Sequence, residues 1–166
     1  MGEVWKDIAG YEGLYQASNL GDIKSLFRYK ITLTPSVRKG YYIVGLYKNK
    51  KHKTFNVHRL IASAFIDNEY NKSQINHKDG NKLNNNASNL EWCTPKENTI
   101  HSIKTGLKKT GHLSSRAKLT KNQIIQIRSE YKPFVLSLKK LSYKYNVSKK
   151  AILLIIKNKT YKNEYL

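Results

Sequence analysis

The sequence predicts an α+β protein in which several small modules follow one another along an extended chain. Three observations lead to this prediction. Short segments typical of β-strands, rich in Tyr, Val and Ile, occur throughout residues 1–56. The segments 41–47 and 53–57 are predicted to pair as a hairpin. A strand–loop–strand–helix unit spans residues 75–101. Three amphipathic helical patterns, each preceded by a Ser or Thr cap, occupy residues 120–157.

Composition points to nucleic acid as the partner. The 166 residues include 31 Lys and Arg against 11 Asp and Glu, a formal charge of +20. No apolar run approaches the roughly 20 residues of a membrane span, and the N-terminus lacks the apolar core of a signal peptide. The single cysteine, Cys93, excludes an internal disulfide. We therefore expect an intracellular, cytoplasmic protein without membrane association.

The charge is unevenly distributed. Residues 1–60 carry a net charge of +7 and residues 101–166 a net charge of +14, whereas residues 61–100 are close to neutral at −1. This distribution fits a central module that holds a cation, placed between two segments that grip phosphate.

The central unit gathers polar side chains. Its first strand carries Asn76 and His77, and a loop rich in Asn and Gly leads to a second strand at Leu90 to Cys93. Thr94, Pro95 and Glu97 then form the signature of a capped helix start. On that helix Asn98 and His101 are three residues apart and share a face. A neutral His can take a proton from water, and Mg²⁺ prefers oxygen ligands.

Residues 75–101 resemble the HNH nuclease motif, a ββα-metal or His-Me finger unit, in the form found in homing endonucleases of phage group I introns. The resemblance implies that His77 is the general base and that Asn89 braces the loop. It also implies that Asn98 ligates one divalent cation, Mg²⁺ or Mn²⁺. Relatives carry an Asp ligand where this chain has Asn76. The carboxamide oxygen of Asn76 can also ligate a metal but brings no charge, so two alternatives remain: weaker metal binding, or a metal that relies on Asn98 with help from His101.

The other polar residues of this region receive structural interpretations. The remaining loop residues are assigned to turn formation, as Asx side chains commonly cap their own backbone. His58, on the helix predicted from Val57 to Phe65, is interpreted as structural. The loop residues concerned are Asp79, Asn81, Asn84, Asn85 and Asn86.

Two flanking segments are predicted to bind DNA. Residues 3–21 resemble a small Trp-Lys-Asp-Ile module that precedes HNH motifs and contributes to DNA contact, with Trp5, Tyr11 and Tyr15 expected to form a small core. Residues 138–152 resemble a helix-turn-helix, whose last helix would enter the major groove. The basic residues selected as DNA contacts are Arg28, Arg38, Lys39, Lys48, Lys50, Lys51, Lys53, Arg59, Lys108, Lys109, Arg116, Lys149, Lys150 and Lys157.

These features divide the chain into four parts. We predict an N-terminal β-rich DNA-binding module at 1–56, the HNH nuclease core at 57–104, a basic linker at 105–119 and a helix-turn-helix module at 120–166. For the linker, an arm laid along the minor groove and a plain flexible tether remain alternatives.

The predicted function is site-specific hydrolysis of double-stranded DNA by a monomeric HNH homing endonuclease that uses one metal ion and no small-molecule substrate. The alternative is a sequence-specific DNA-binding regulator whose nuclease unit is degenerate at Asn76. A weaker third possibility is an RNA-binding or splicing helper, which would need exposed stacking aromatics.

Overall fold

A computed structural model describes residues 2–27, 29–133 and 136–161, so Arg28 lies outside the described residues. The chain divides into two compact units, Met1–Thr105 and Gly106–Leu166, each with its own hydrophobic core. The fold is α+β, with small antiparallel sheets and five α-helices in the part described. No helix there is long and apolar enough to cross a membrane.

The first sheet contains the strands β1 (Trp5–Asp7), β2 (Tyr15–Ser18) and β3 (Ile23–Ser25), paired antiparallel in that order. The turn from β2 to β3 closes when the Ser18 N–H donates to the Asp22 carbonyl over 2.8 Å. Tyr15 is buried here, as expected. The prediction that Trp5 belongs to this core is wrong. Its ring is only half-buried, and the Lys24 Nζ lies over it, 4.1 Å from the ring centroid.

The predicted hairpin is confirmed in the second sheet, although the turn between its strands is shorter than predicted. This sheet comprises β4 (Ser36–Arg38), β5 (Tyr41–Lys48) and β6 (Lys51–Asn56). Only Asn49 and Lys50 connect β5 to β6, and both have positive φ, at 52° and 61°. A two-residue turn of this kind matches the twist of the strands that it joins.

The central unit has the predicted order of elements. Helix α1 (Val57–Phe65) precedes β7 (Gln74–His77), a 3₁₀ turn at Ala87–Asn89, β8 (Leu90–Cys93) and α2 (Pro95–Lys104). The capping box is present: the Thr94 hydroxyl accepts from the Glu97 N–H, and the Glu97 carboxylate accepts from the Thr94 N–H. The helix therefore begins at a fixed residue, which sets the position of Asn98 one turn later.

Helix α1 joins the sheets of the first unit. It packs on strands of all three sheets, namely β1 and β2, β5 and β6, and β7 and β8. Its apolar face is buried through Val57, Leu60, Ile61 and Ala62. The core around it also contains Ile8, Tyr15, Ala17, Ile23, Val44, Leu46 and Leu90.

The second unit is a small helical cluster. Its helices are α3 (Lys121–Glu130), α4 (Leu138–Lys144) and α5 (Lys149–Ile156), each capped by a Thr or Ser side chain. Their apolar faces bury Ile124, Ile127, Leu141, Ile152 and Ile155. The predicted linker is partly ordered here, since Gly111–Leu113 forms a 3₁₀ turn and Leu119 is buried in this core.

We predict that Ile61→Ala lowers the free energy of unfolding by about 2–5 kcal/mol, because Ile61 is fully buried and truncation leaves a cavity. Urea denaturation followed by circular dichroism measures this change. The matched control is Ile103→Ala on α2, where the side chain is 41% exposed and the expected change is within about 0.5 kcal/mol. Equal losses in the two variants would contradict the role given to α1.

Candidate active site

Two paired strands and one loop build the site. In the β7–β8 ladder Asn76 lies opposite Glu91, and His77 lies opposite Leu90. The ladder continues into the loop, because the Lys78 N–H donates to the Asn89 carbonyl over 2.8 Å. The strand end that carries His77 is therefore anchored to the far end of the loop.

His77 is held in one tautomer by a buried asparagine. Its side chain is only 5% exposed, and its Nε2 lies 3.1 Å from Oδ1 of Asn85, which is also buried. Because a carboxamide oxygen only accepts hydrogen bonds, Nε2 carries the proton in this bond. The second ring nitrogen, Nδ1, then has the lone pair that a general base needs.

The surroundings of His77 keep it neutral. Burial lowers the pKa of its imidazole below the usual value, while the hydrogen bond to Asn85 and the nearby Asp79 carboxylate oppose that decrease. Two other rings border it: the centroid of the His58 ring is 5.3 Å away and that of Tyr41 is 6.1 Å away. At pH 7 the side chain is therefore in its basic form.

His58 is a second neutral imidazole. Burial, and then the neighbouring His77 and Arg59, lower its pKa to about 4. The sequence analysis predicts a structural role for His58 on α1, and in the structure its ring contacts the rings of both Tyr41 and His77. A polar cleft runs past this ring and is lined by Tyr41, Asn56, His58, Arg59, Gln74, Ile75 and Asn98.

The predicted metal ligands lie along β7 and α2. Asn76 donates its Nδ2 to Glu91 Oε1 over 2.7 Å, and Asn98 donates its Nδ2 to Gln74 Oε1 over 2.8 Å. Within the described residues neither Oδ1 atom is taken by a hydrogen bond. His101 contacts the Lys78 carbonyl through Nε2 at 3.2 Å. Asn98 thus contacts Gln74, two residues before Asn76, and His101 contacts Lys78, the residue after His77.

The donor atoms fit a hard cation better than a soft one. No cluster of three or more His, Cys, Asp or Glu side chains that could hold a metal ion occurs in the described parts of the chain. The oxygens that the predicted ligands offer are the carboxamide Oδ1 atoms of Asn76 and Asn98, and one carboxylate, that of Glu91, contacts Asn76. Mg²⁺ and Mn²⁺ accept such oxygen ligands and complete their shell with water and phosphate.

Asn89 ties the loop together. Its Oδ1 accepts from the Asp79 N–H, and its Nδ2 donates to Asp79 Oδ1 and to the Asn84 carbonyl. Hydrogen bonds from Asn84 and Asn89 lower the pKa of Asp79, which stays ionised. The side chain of Asn89 is thus a brace of the loop and has no bond to His77 among the described contacts.

The basic residues selected from the sequence are exposed on both units. Two of them bind other parts of the first unit: Lys48 Nζ donates to the Gly10 carbonyl, and Arg59 donates to the Ser73 carbonyl. Arg28 lies outside the described residues. The others at exposed positions are Arg38, Lys39, Lys50, Lys51, Lys53, Lys108, Lys109, Arg116, Lys149, Lys150 and Lys157.

Sequence reasoning missed three polar residues that contact predicted site residues. Asn85 was assigned to turn formation, yet its side chain is buried against His77. Glu91 and Gln74 received no role, although they pair with Asn76 and Asn98. For Glu91 a signal existed, because residues on facing strands share a side when they pair directly. For Asn85 the Asn-rich loop offered no distinguishing pattern.

Comparison with known proteins identifies relatives of this chain. Family models match at residues 3–47, for the NUMOD4 motif, and at residues 55–100, for an HNH endonuclease. The DNA endonuclease I-HmuI of Bacillus phage SP01 is 42% identical over 119 residues, covering 72% of this chain and 68% of that protein. HNH endonuclease L245 of Acanthamoeba polyphaga mimivirus is 52% identical over 105 residues, which span only 31% of its length.

A solved structure shows the same architecture. It reports DNA binding and cleavage by the HNH homing endonuclease I-HmuI, and it is similar to this chain with a TM-score of 0.59 at 34% sequence identity. The similarity covers 93% of this chain and 90% of the other.

We predict that His58 makes stability depend on pH between 4 and 6.5. Its pKa is lower in the folded state than in the unfolded state. Its contribution to the free energy of unfolding is therefore complete above pH 6.5 and is lost as the pH falls to about 4. Allowing for partial screening by solvent, the loss is about 2 kcal/mol.

Urea denaturation at pH 7, 5.5 and 4 tests this prediction. His58→Phe keeps a ring in the same place and should show a flatter pH dependence than the wild type. His52→Phe, at an exposed histidine of the β5–β6 hairpin, should follow the wild type. An equally steep loss of stability in His58→Phe would show that other groups cause it.

Proposed function

This chain belongs to the HNH homing endonuclease family, and we propose that it hydrolyses phosphodiester bonds at a specific site in double-stranded DNA with one divalent cation, Mg²⁺ or Mn²⁺. One observation carries this proposal: the buried, neutral His77, with its Nε2 bonded to Asn85, ends the same strand that carries Asn76 and that Asn98 contacts through Gln74. The near-neutral centre between basic flanks supports it.

His77 is the general base of the proposed reaction. Its Nδ1 takes a proton from a water molecule while the water oxygen forms a bond to phosphorus and the bond from phosphorus to the leaving oxygen breaks. The hydrogen bond from Nε2 to Asn85 keeps the ring from rotating and keeps Nδ1 unprotonated before the step. The low pKa supports this role, since the base is unprotonated at neutral pH.

Asn76, Asn98 and His101 are the proposed ligands of the cation. Asn76 brings no charge of its own, but the Glu91 carboxylate that it contacts supplies a negative charge in the same place. We include Glu91 in the metal site for this reason. When bound, the cation supplies positive charge that stabilises the phosphorane and the leaving oxygen. Asn89 keeps the loop in shape and does not itself contact the substrate.

DNA binding is divided between the two units. The β5–β6 hairpin carries Lys50, Lys51 and Lys53 at exposed positions, and a two-stranded ribbon fits the major groove. In the second unit α4, the turn at Tyr145–Ser148 and α5 have the order of a helix-turn-helix, with Lys149 and Lys150 at the start of the last helix. The basic residues at 105–119 serve as an arm along the backbone. One chain with two binding regions needs no second copy, so we propose a monomer inside the host cell.

We predict that His77→Ala lowers the rate of DNA cleavage by about 10²–10⁴-fold, because the proton acceptor is lost. The assay incubates purified protein with supercoiled plasmid that carries the DNA around the gene's own insertion point, with Mg²⁺, Mn²⁺ or chelator. Nicking or linearisation should require metal and should be lost in the variant.

Binding of the same DNA is the control for this variant. A gel-shift titration should give His77→Ala an affinity close to that of the wild type. Tight, salt-sensitive binding without cleavage by the wild type in either metal would contradict the nuclease, and the regulator with a degenerate site would replace it.

We predict that Glu91→Gln weakens binding of Mn²⁺ about tenfold or more, because it removes the carboxylate charge beside Asn76. Electron paramagnetic resonance of free Mn²⁺ measures the affinity without any cleavage. The matched control is Glu69→Gln in the exposed α1–β7 connection, which should bind Mn²⁺ like the wild type. Unchanged affinity in Glu91→Gln would remove Glu91 from the metal site.

A further inference from the structure

The loop that carries Asn85 is supported from outside the nuclease motif. The Ala87 N–H, two residues after Asn85, donates to the Asn19 carbonyl over 2.9 Å. Asn19 belongs to the turn at 18–22 that joins β2 to β3 in the first sheet. A segment of the N-terminal module therefore lies directly against the loop that holds the hydrogen-bond partner of His77.

Gly21 makes the closest approach between this turn and the loop. A Cβ at position 21 would lie 3.1 Å from the backbone carbon of Asn85 and 3.3 Å from its Cβ and carbonyl oxygen. The φ of Gly21 is +107°, a backbone conformation that residues other than glycine rarely adopt. Contact and conformation together require glycine here, and the backbone that would have to yield belongs to Asn85.

The turn is itself fixed by hydrogen bonds to the N-terminal segment and within the turn. Ser18 is fully buried, and its hydroxyl donates to Glu3 Oε1 over 2.6 Å and accepts from the Leu20 N–H. Asn19 is bonded to the residue that precedes β1, because its Oδ1 accepts a hydrogen bond from the Val4 N–H over 2.7 Å. The turn is thus a rigid support, and an Asn-rich loop of twelve residues resting on it has a defined position.

We propose that the turn at 18–22 positions the catalytic histidine through Asn85. Gly21 sets the place of the Asn85 backbone, and Asn85 Oδ1 fixes the tautomer and the orientation of His77. Both are positioning residues, since neither contacts the reacting atoms. The N-terminal module then has a role in the chemical step, separate from any contact that it makes with DNA.

The proposal rests on the function proposed above, but its mechanism has a readout without catalysis. A displaced Asn85 loses its bond to His77, and a neutral imidazole without that acceptor distributes its proton between Nδ1 and Nε2. Only the Nε2–H form can act as a base at Nδ1. A shift of the loop should therefore lower kcat and leave KM for DNA unchanged.

The first test compares two glycines of the N-terminal module. Gly21→Ala should lower kcat about 10- to 100-fold with KM unchanged, because small displacements of catalytic groups have effects of this size. Gly13→Ala is the matched control: its φ is also positive, at +71°, but open space surrounds the position of its Cβ. Both variants place a side chain at positive φ, but only Gly21→Ala also meets a backbone, so its thermal unfolding midpoint should be the lower of the two and kcat is compared well below both midpoints.

The second test replaces Asn85 itself. Asn85→Leu has a similar size but no acceptor, and it should reproduce the loss of kcat seen with Gly21→Ala. Asn85→Asp keeps the acceptor oxygen and should restore most of the rate. If Asn85→Leu cleaves like the wild type, the positioning role is wrong.

Nitrogen-15 shifts of the His77 ring decide the mechanism without DNA or metal. The wild type and Gly13→Ala should show the Nε2–H tautomer, whereas Gly21→Ala and Asn85→Leu should show a mixture. A wild type that fails to cleave but gives this pattern would overturn the nuclease function and support the positioning. A single tautomer in all four proteins would overturn the positioning, whatever the cleavage assay shows.

Discussion

The packing of helix α1 is the constraint on which the first unit depends. Its three sheets have three, three and two strands, and a sheet of two strands is marginally stable at best without a partner to pack against. Each buries its apolar face against this helix of nine residues, through side chains such as Leu60 and Ile61. The same helix carries His58 beside His77. Helix α1 therefore joins the second sheet, which carries Tyr41, to the third sheet, which carries His77.

The chemistry of the site follows from burial of neutral groups. His77 and His58 are both buried, which lowers the pKa of each imidazole and leaves both rings uncharged at pH 7. The partners on the sheet and on α2 are carboxamides, and Glu91 is the carboxylate among them. Such a site is weakly charged until a cation and a phosphate arrive. The strong positive charge lies in the flanking segments, where it attracts DNA without repelling the metal.

Local features were predictable from sequence, and long-range contacts were not. The capping box of Thr94 and Glu97, the β5–β6 hairpin and α1 each depend on residues a few positions apart, and all three are confirmed. The bond from His77 to Asn85 depends on how the loop folds back. The contact of Gly21 with Asn85 joins residues 64 positions apart in different modules. The prediction that Trp5 is a core residue was wrong, because an aromatic side chain is usually buried, whereas this ring is half-buried and contacts the Lys24 ammonium.

Residues 1–56 are thus better described as part of the framework of the nuclease than as a separate attachment. The first and second sheets share one core with the ββα unit, and no boundary between compact units falls between residues 1 and 105. The module that resembles a DNA-binding accessory therefore contributes apolar surface, a rigid turn and the Tyr41 ring to the surroundings of His77.

Chemical rescue tests whether the His77 imidazole is the proton acceptor. The rate of metal-dependent cleavage by His77→Gly would be measured as free imidazole is added, since the emptied site leaves room for the missing ring. We predict a rate that rises with the concentration of unprotonated imidazole, and no rise for Asn98→Gly under the same conditions. An imidazole-independent rate in His77→Gly, or a variant as active as the wild type, would contradict it.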